Sequence, residues 1–343
     1  MLSLKAGEVW RFLLAGAMLG ILLFSAGCGN GSTNFALFGP PPSATPTLTS
    51  TPSQTPPPTA TRKPTRTPTP LPSPTPSPTP LRFAIIGDFG LAGQPEKAVA
   101  DLVQSWSPAF IVTTGDNNYP SGAAETIDQN IGQYFYNFIA PYKGKYGEGA
   151  QENRFFPVLG NHDWVEPKAK PYLAYFTLPG NERYYTTTYQ TIGLFMLDSD
   201  PNEPDGIKNN SVQAQWLKEQ LAKSSACWKL IFLHHPPFSS GFHGSNTWMQ
   251  WPFQEWGADA VFGGHDHHYE RFGQNGFPSF VNGLGGGPRY LLKQTLPGSE
   301  VRYNANHGAM LAEVTGKRLT LQFITISGEV IDTYSLEKSC PGN

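Results

Sequence analysis

From Leu81 onward the chain repeats one pattern: a short apolar run that ends abruptly in small and polar residues. Arg82-Phe83-Ala84-Ile85-Ile86 breaks at Gly87-Asp88-Phe89-Gly90, which predicts a buried strand followed by a turn. Ala109 to Thr114 stops at Gly115-Asp116-Asn117-Asn118-Tyr119, and Phe155 to Leu159 stops at Gly160-Asn161-His162-Asp163. Leu194 to Leu197 stops at Asp198-Ser199, Trp228 to Leu233 at His234-His235-Pro236-Pro237, and Ala260 to Phe262 at Gly263-Gly264-His265-Asp266-His267-His268. Helical stretches are predicted at about Glu96–Trp106 and Val212–Lys223. From Ala309 to Leu336 apolar and polar residues alternate around Gly316 and Gly328, the period of antiparallel strands. Strands alternating with helices, with polar residues at the strand ends, predict an α/β architecture whose site gathers along one sheet edge.

Each strand end also has an ordinary reading. Gly-Asp after a strand is common because aspartate caps a following helix, so Asp88 or Asp116 alone reads equally well as a turn. Asn161-His162 alone reads as a turn with a satisfied histidine, and a lone His-x-His is weak. Together they bring two carboxylates, an amide, a phenol and several imidazoles to five loops. All 8 histidines lie beyond residue 81, most of them in these loops. Chance turns do not produce that series.

The series resembles the calcineurin-like metallophosphoesterase superfamily from Arg82 to about Glu337. Tyr119, three residues after Asp116, resembles the purple acid phosphatase branch, in its short tartrate-resistant form. The resemblance implies a four-layer α-β-β-α sandwich, two mixed β-sheets flanked by helices. It implies that Asp88, Asp116, Tyr119 and His267 hold Fe(III), and that Asp116, Asn161, His234 and His265 hold a divalent Fe, Zn or Mn, with Asp116 bridging. Hard anionic oxygens suit Fe(III), while imidazole with an amide oxygen suits a borderline divalent ion. His234 is taken as ligand rather than His235 because it opens the His-x-Pro pattern. Asn161, His162 and, in a more variable loop, His243 would face substrate. The implied activity is hydrolysis of phosphate monoesters by a hydroxide held between metals about 3.5–4 Å apart. A phosphodiesterase or nucleotidase, and a surface binding protein without turnover, are the alternatives. Gly283-Leu284-Gly285-Gly286-Gly287-Pro288 lacks the ending of a phosphate-binding P-loop and reads as a structural turn. Trp248, Trp251 and Trp256 read as core or pocket wall, His268 and His307 as other than ligands, and Arg271 as an ion-pairing anchor for its loop.

The N-terminal stretch changes the picture of where this domain works. Lys5 and Arg11 precede an apolar run from Phe12 to Phe24, short for a membrane span and suited to an export signal. Ser25-Ala26-Gly27-Cys28 resembles the lipobox of bacterial lipoproteins, which implies acylation of Cys28 and a membrane tether. Ser25 in place of leucine, and Glu8 in a basic region, leave plain cleavage and an uncleaved anchor open. Residues 29–80 then form a Pro/Thr/Ser-rich linker holding roughly half of the 33 prolines. With little apolar surface to bury, it is expected to be an extended spacer at about 3 Å per residue. The catalytic domain is expected at 81–338, with a tail at 339–343. A formal net charge of -2 gives no basic field for nucleic acid. Apart from Cys28, only Cys227 and Cys340 remain, and an exported chain can oxidise them to a disulfide.

Overall fold

The computed structural model describes residues 80–340. The segment expected to be an export signal, with Cys28, and nearly all of the expected linker lie outside the described residues. Thirteen strands run β1 Leu81–Ile86, β2 Phe110–Thr113, β3 Phe155–Phe156, β4 Tyr185–Tyr189, β5 Ile192–Met196, β6 Trp228–Phe232, β7 Ala260–Gly263, β8 Tyr269–Gln274, β9 Phe277–Asn282, β10 Ser299–Tyr303, β11 Gly308–Thr315, β12 Arg318–Thr325 and β13 Val330–Glu337. The helices are α1 Gln94–Ser105, α2 Ala124–Ile127, α3 Gln133–Phe135, α4 Lys170–Tyr175 and α5 Val212–Lys223.

The strands form two mixed sheets. The first has the order β13-β12-β11-β1-β2-β3 and the second β10-β8-β9-β7-β6-β5-β4. β1, β2 and β3 are parallel, as are β5, β6, β7 and β9. Parallel neighbours put their C-terminal ends on the same side, so the loops after β1, β2, β3, β6 and β7 share an edge.

Period-2 alternation sorts the second sheet's side chains between two cores. Leu194, Leu230, Phe232, Ala260, Phe262 and Phe280 face the large core, where the rings of Phe232, Phe262 and Phe280 stack at 5.0 and 4.9 Å. Phe195, Leu197, Ile231, Leu233 and Val261 face the other way, onto Ala214, Leu217 and Leu221 of α5. α5 starts where Ser211 Oγ accepts the Ala214 N–H. α1 begins at Gln94, ahead of the expected Glu96, because Pro95 fits a helix's first turn, where its missing N–H costs nothing. It buries Val99, Ala100 and Val103.

β3 pairs over only two residues. Pro157, which has no N–H to donate, follows immediately and closes the ladder. The C-terminal alternation forms β11, β12 and β13, which pair antiparallel alongside β1. The segment between β2 and β3 contains α2 and α3 joined by a wide helical turn at Asp128–Gly132. Cys227, just before β6, is disulfide-bonded to Cys340 with a Cα–Cα distance of 5.0 Å, which ties the first residues of the tail to the fold. Among the described residues no helix is long and apolar enough to cross a membrane.

Candidate dinuclear metal centre

At the shared edge the backbone itself turns the site residues inward. Asp88, Asp116 and His265, each following a glycine, sit in the left-handed region at φ 54, 51 and 67. That conformation costs a non-glycine residue of order 1–3 kcal/mol and persists where surrounding structure imposes it. Gly115, at φ 89, could not be replaced freely: a Cβ there would lie 2.5 Å from His234 Nδ1. A Cβ on Gly264 would run into Asp88 Oδ2.

Two donor groups result. In the first, Tyr119 Oη lies 3.3 Å from Asp88 Oδ1, 3.0 Å from Asp116 Oδ2 and 3.0 Å from His267 Nε2. In the second, His234 Nε2 lies 3.4 Å from Asp116 Oδ1, 3.0 Å from Asn161 Oδ1 and 3.2 Å from His265 Nδ1. Asp116 divides its two oxygens between the groups. Each group draws on both sheets: Asp88, Asp116, Tyr119 and Asn161 follow strands of the first, while His234, His265 and His267 follow strands of the second.

Backbone carbonyls fix the imidazoles. His234 Nδ1 donates to Thr114 O at 2.8 Å, and His267 Nδ1 donates to Pro288 O, so each turns its Nε2 lone pair to the centre. His162 Nδ1 donates to Pro120 O at 2.6 Å, which leaves its Nε2 3.9 Å from Asp116 Oδ2. Burial lowers the pKa of His234, but Asp116, Asp88 and the Thr114 carbonyl outweigh it and leave it raised. His267 is likewise lowered by burial and raised overall through Asp88. Burial, then the surrounding imidazoles, lower His265 and keep it neutral. Burial, then Asp116 and Asp88, hold Tyr119 well above its ordinary range.

His234 Nε2 faces three acceptors, and the Tyr119 phenol is wedged among two carboxylates and an imidazole. Converging lone pairs at 3.0–3.4 Å suit a cation at each group. The residues present fit two ions.

Several supporting residues are invisible to motif reading. Ser199 Oγ accepts both the His234 and His235 backbone N–H groups, at 3.2 and 2.8 Å, so its hydroxyl proton goes to His235 Nδ1 at 3.0 Å. His235 then carries its own proton on Nε2. Asp163 accepts from Gly160 N, Asn117 N and Asn117 Nδ2, which braces the Asn161 turn, and burial followed by Asp116 pushes its pKa up to about 7. Asp266 holds the His243 loop through His243 N, Gly244 N and Ser239 Oγ. The His243 ring sits 4.2 Å from the His265 ring and is exposed. Tyr290 stacks on His267 at 4.0 Å and 6°. The only sequence signal for these residues is their position within three places of a strand end or a glycine.

Among the other singled-out residues, buried His268 pairs with Glu270 at 2.9 Å, and His307 Nε2 meets Gly287 O at 3.0 Å. Arg271 binds Asp332 at 2.7 Å. The Gly283–Pro288 turn packs under Asp88, with Gly287 N donating to Asp88 O at 2.8 Å. Trp251 is buried, and Trp248 Nε1 donates to Ser199 O at 3.2 Å.

Two mixed sheets with flanking helices, carrying paired oxygen and imidazole donor groups at the strand ends, define a dinuclear metallohydrolase class. The chain belongs to the calcineurin-like phosphoesterase family, whose sequence model matches residues 81–269. It is similar to human (Homo sapiens) tartrate-resistant acid phosphatase type 5, 24% identical over 296 residues covering 73% of this chain and 88% of the relative. It is also similar to purple acid phosphatase 17 of Arabidopsis thaliana, 25% identical over 293 residues covering 75% of this chain and 84% of the relative. Among solved structures, the fold matches a purple acid phosphatase from yellow lupin (Lupinus luteus) seeds with a TM-score of 0.62 at 17% identity, covering 76% of this chain and 54% of that one. It also matches the anchor protein of the inner membrane complex of Plasmodium, with a TM-score of 0.59 at 19% identity, covering 76% and 90%.

Proposed function

We propose that this chain is a metal-dependent phosphatase of the purple acid type, acting on phosphate monoesters outside the cytoplasm and tethered through a lipid on Cys28. The observation that carries the catalytic reading is Asp116, whose two oxygens serve two separate donor groups. Asp88, Asp116, Tyr119 and His267 would hold Fe(III), the ion acidic enough to take a buried phenol as its anion. Asp116, Asn161, His234 and His265 would hold a divalent Fe, Zn or Mn. When bound, such a pair polarises the phosphate and lowers the pKa of the attacking water from 15.7 toward 7.

The chain's own groups do the rest. The carbonyls of Thr114 and Pro288 hold two imidazoles with their lone pairs inward before substrate arrives. His162 is fixed by Pro120 O with Nε2 at the edge of the centre, where the imidazolium form can give its Nε2 proton to the departing ester oxygen. His243, held through its backbone by Asp266, is the second group placed to do so. No side chain is phosphorylated in this scheme. The Cys227–Cys340 disulfide supports an oxidising, extracytoplasmic location.

The test measures hydrolysis of a nitrophenyl phosphate monoester and of its bis-nitrophenyl diester across pH, with metal content, for wild type and Asp116→Asn. The monoester should be preferred, and the variant should lose metal and fall by more than about 100-fold. Preference for the diester makes the protein a phosphodiesterase. No turnover with both metals bound makes it a binding protein. Full activity and normal metal loading in Asp116→Asn would sink the site assignment.

A further inference from the structure

We propose that a pocket on the outer face of the second sheet binds a neutral sugar, one pyranose ring held against aromatic walls over Ser279. The pocket encloses about 190 Å³. That is below the roughly 300–1,000 Å³ of sites for drug-sized ligands, so it suits a single ring. Its floor is Val261 of β7 and Ser279 of β9, and Phe238, Trp251, Phe253 and Phe277 stand among its walls. None of these residues belongs to the metal centre.

Ser279 is the residue that points to a ligand. It is 2% exposed, and its hydroxyl has no hydrogen-bond partner. The sheet register explains why. Ser279 pairs with Val261 on one side and Phe272 on the other, so its ladder neighbours offer only hydrocarbon on that face. A buried polar group left unpaired is costly, and a ligand hydroxyl entering the pocket would pair it. The walls are fixed before a ligand arrives. Trp251 Nε1 donates to Trp248 O at 2.8 Å and to Ile207 O at 3.1 Å, and the Phe253 ring lies 5.7 Å from that of Trp251.

The lining also chooses among ligands. An aromatic face carries partial negative charge, which the weakly positive C–H groups on a pyranose face complement. Gln254 and Gln274, both reached by solvent, supply amides that donate and accept, as vicinal hydroxyls require. No lysine, arginine or histidine is among the lining residues, and Glu255 is, so an anion has nothing to pair with and one charge to oppose it. A purely apolar molecule would leave the Ser279 hydroxyl unpaired. A sugar meets both demands.

The test is saturation-transfer NMR on the full chain with methyl glucopyranoside, methyl galactopyranoside and N-acetylglucosamine, comparing wild type, Ser279→Ala and Phe277→Ala. The wild type should bind at least one of these neutral pyranosides. Ser279→Ala should weaken that binding about tenfold while the sugar-free Tm stays equal or rises, because the variant removes an unpaired hydroxyl. A serine with only a structural role would lower Tm instead. Phe277→Ala should abolish the transfer; if that variant fails to fold, Ser279→Ala decides alone. Glucuronate, an anion of the same ring, should bind more weakly than methyl glucopyranoside. No transfer to any of the three, equal affinity in Ser279→Ala, or equal binding of glucuronate would overturn the proposal. So would Phe277-dependent binding of a proline-rich peptide by a chain that binds no pyranoside, which would make the pocket a peptide groove.

Discussion

Glu96 sits in surroundings at odds with the chemistry of a carboxylate. It lies in the first turn of α1, fully buried, and neither carboxylate oxygen has a hydrogen-bond partner. Burial raises its pKa well above the ordinary range, so the fold keeps its proton where the unfolded chain has released it. Across that interval the native state binds more protons than the unfolded state, so stability falls as pH rises above about 4.3, until the folded-state pKa is passed. Glu96→Gln should match wild type in Tm near pH 4 and exceed it at pH 8, by about 2–4 °C for each kcal/mol recovered. Parallel Tm curves across this range would show that Glu96 does not carry the penalty. The site residues were legible in the sequence because each stands at the break of an apolar run, where a buried strand reaches the edge. Glu96, Ser199, Asp163 and Tyr290 were not. Their roles arise from contacts that only the fold creates, such as Ser199 with His234 and His235, or Tyr290 with His267.

Among the elements, those with apolar runs or clear alternation were readable, and the two edge strands of the second sheet were not. β2 and β7 are buried along their length, and β1 and β6 everywhere but Leu81–Arg82 and Lys229, so their sequences are apolar runs with at most one charged residue. β4, with Tyr-Thr-Thr-Thr-Tyr, and β10, with Ser-Glu-Val-Arg-Tyr, form the two edges of the second sheet and carry mostly polar, part-exposed residues. Part-exposed on both faces, β4 and β10 show neither an apolar run nor a regular apolar/polar alternation that would set them apart from a loop. The disulfide acts at this scale, joining the entry to β6 with the chain's end across a separation of 113 residues. Closing so long a loop restricts the unfolded chain, and Cys340→Ser should cost about 2–5 kcal/mol. Calorimetry should show a lowered Tm with monoester turnover at 25 °C retained. Reaction of both thiols of the intact native protein with a maleimide would rule the bond out.

For the whole molecule, location and catalysis are separable. Lipidation predicts that cells grown with a labelled fatty acid yield a labelled, membrane-bound chain, and that Cys28→Ala releases it in active form. A wild-type chain without label would leave cleavage or an uncleaved anchor as the alternatives under the proposed export. Within the domain, each donor group takes residues from both sheets, and this reaches beyond catalysis. Ions bound there would act as rivets across the seam of the sandwich, so that sliding one sheet against the other requires breaking metal–ligand bonds. Chelation should then lower Tm and speed amide exchange at the C-terminal ends of β1, β2, β6 and β7 together, while β12 and β13 exchange as before. Ions held there to serve hydrolysis would also set how firmly the two halves of the fold are held in register.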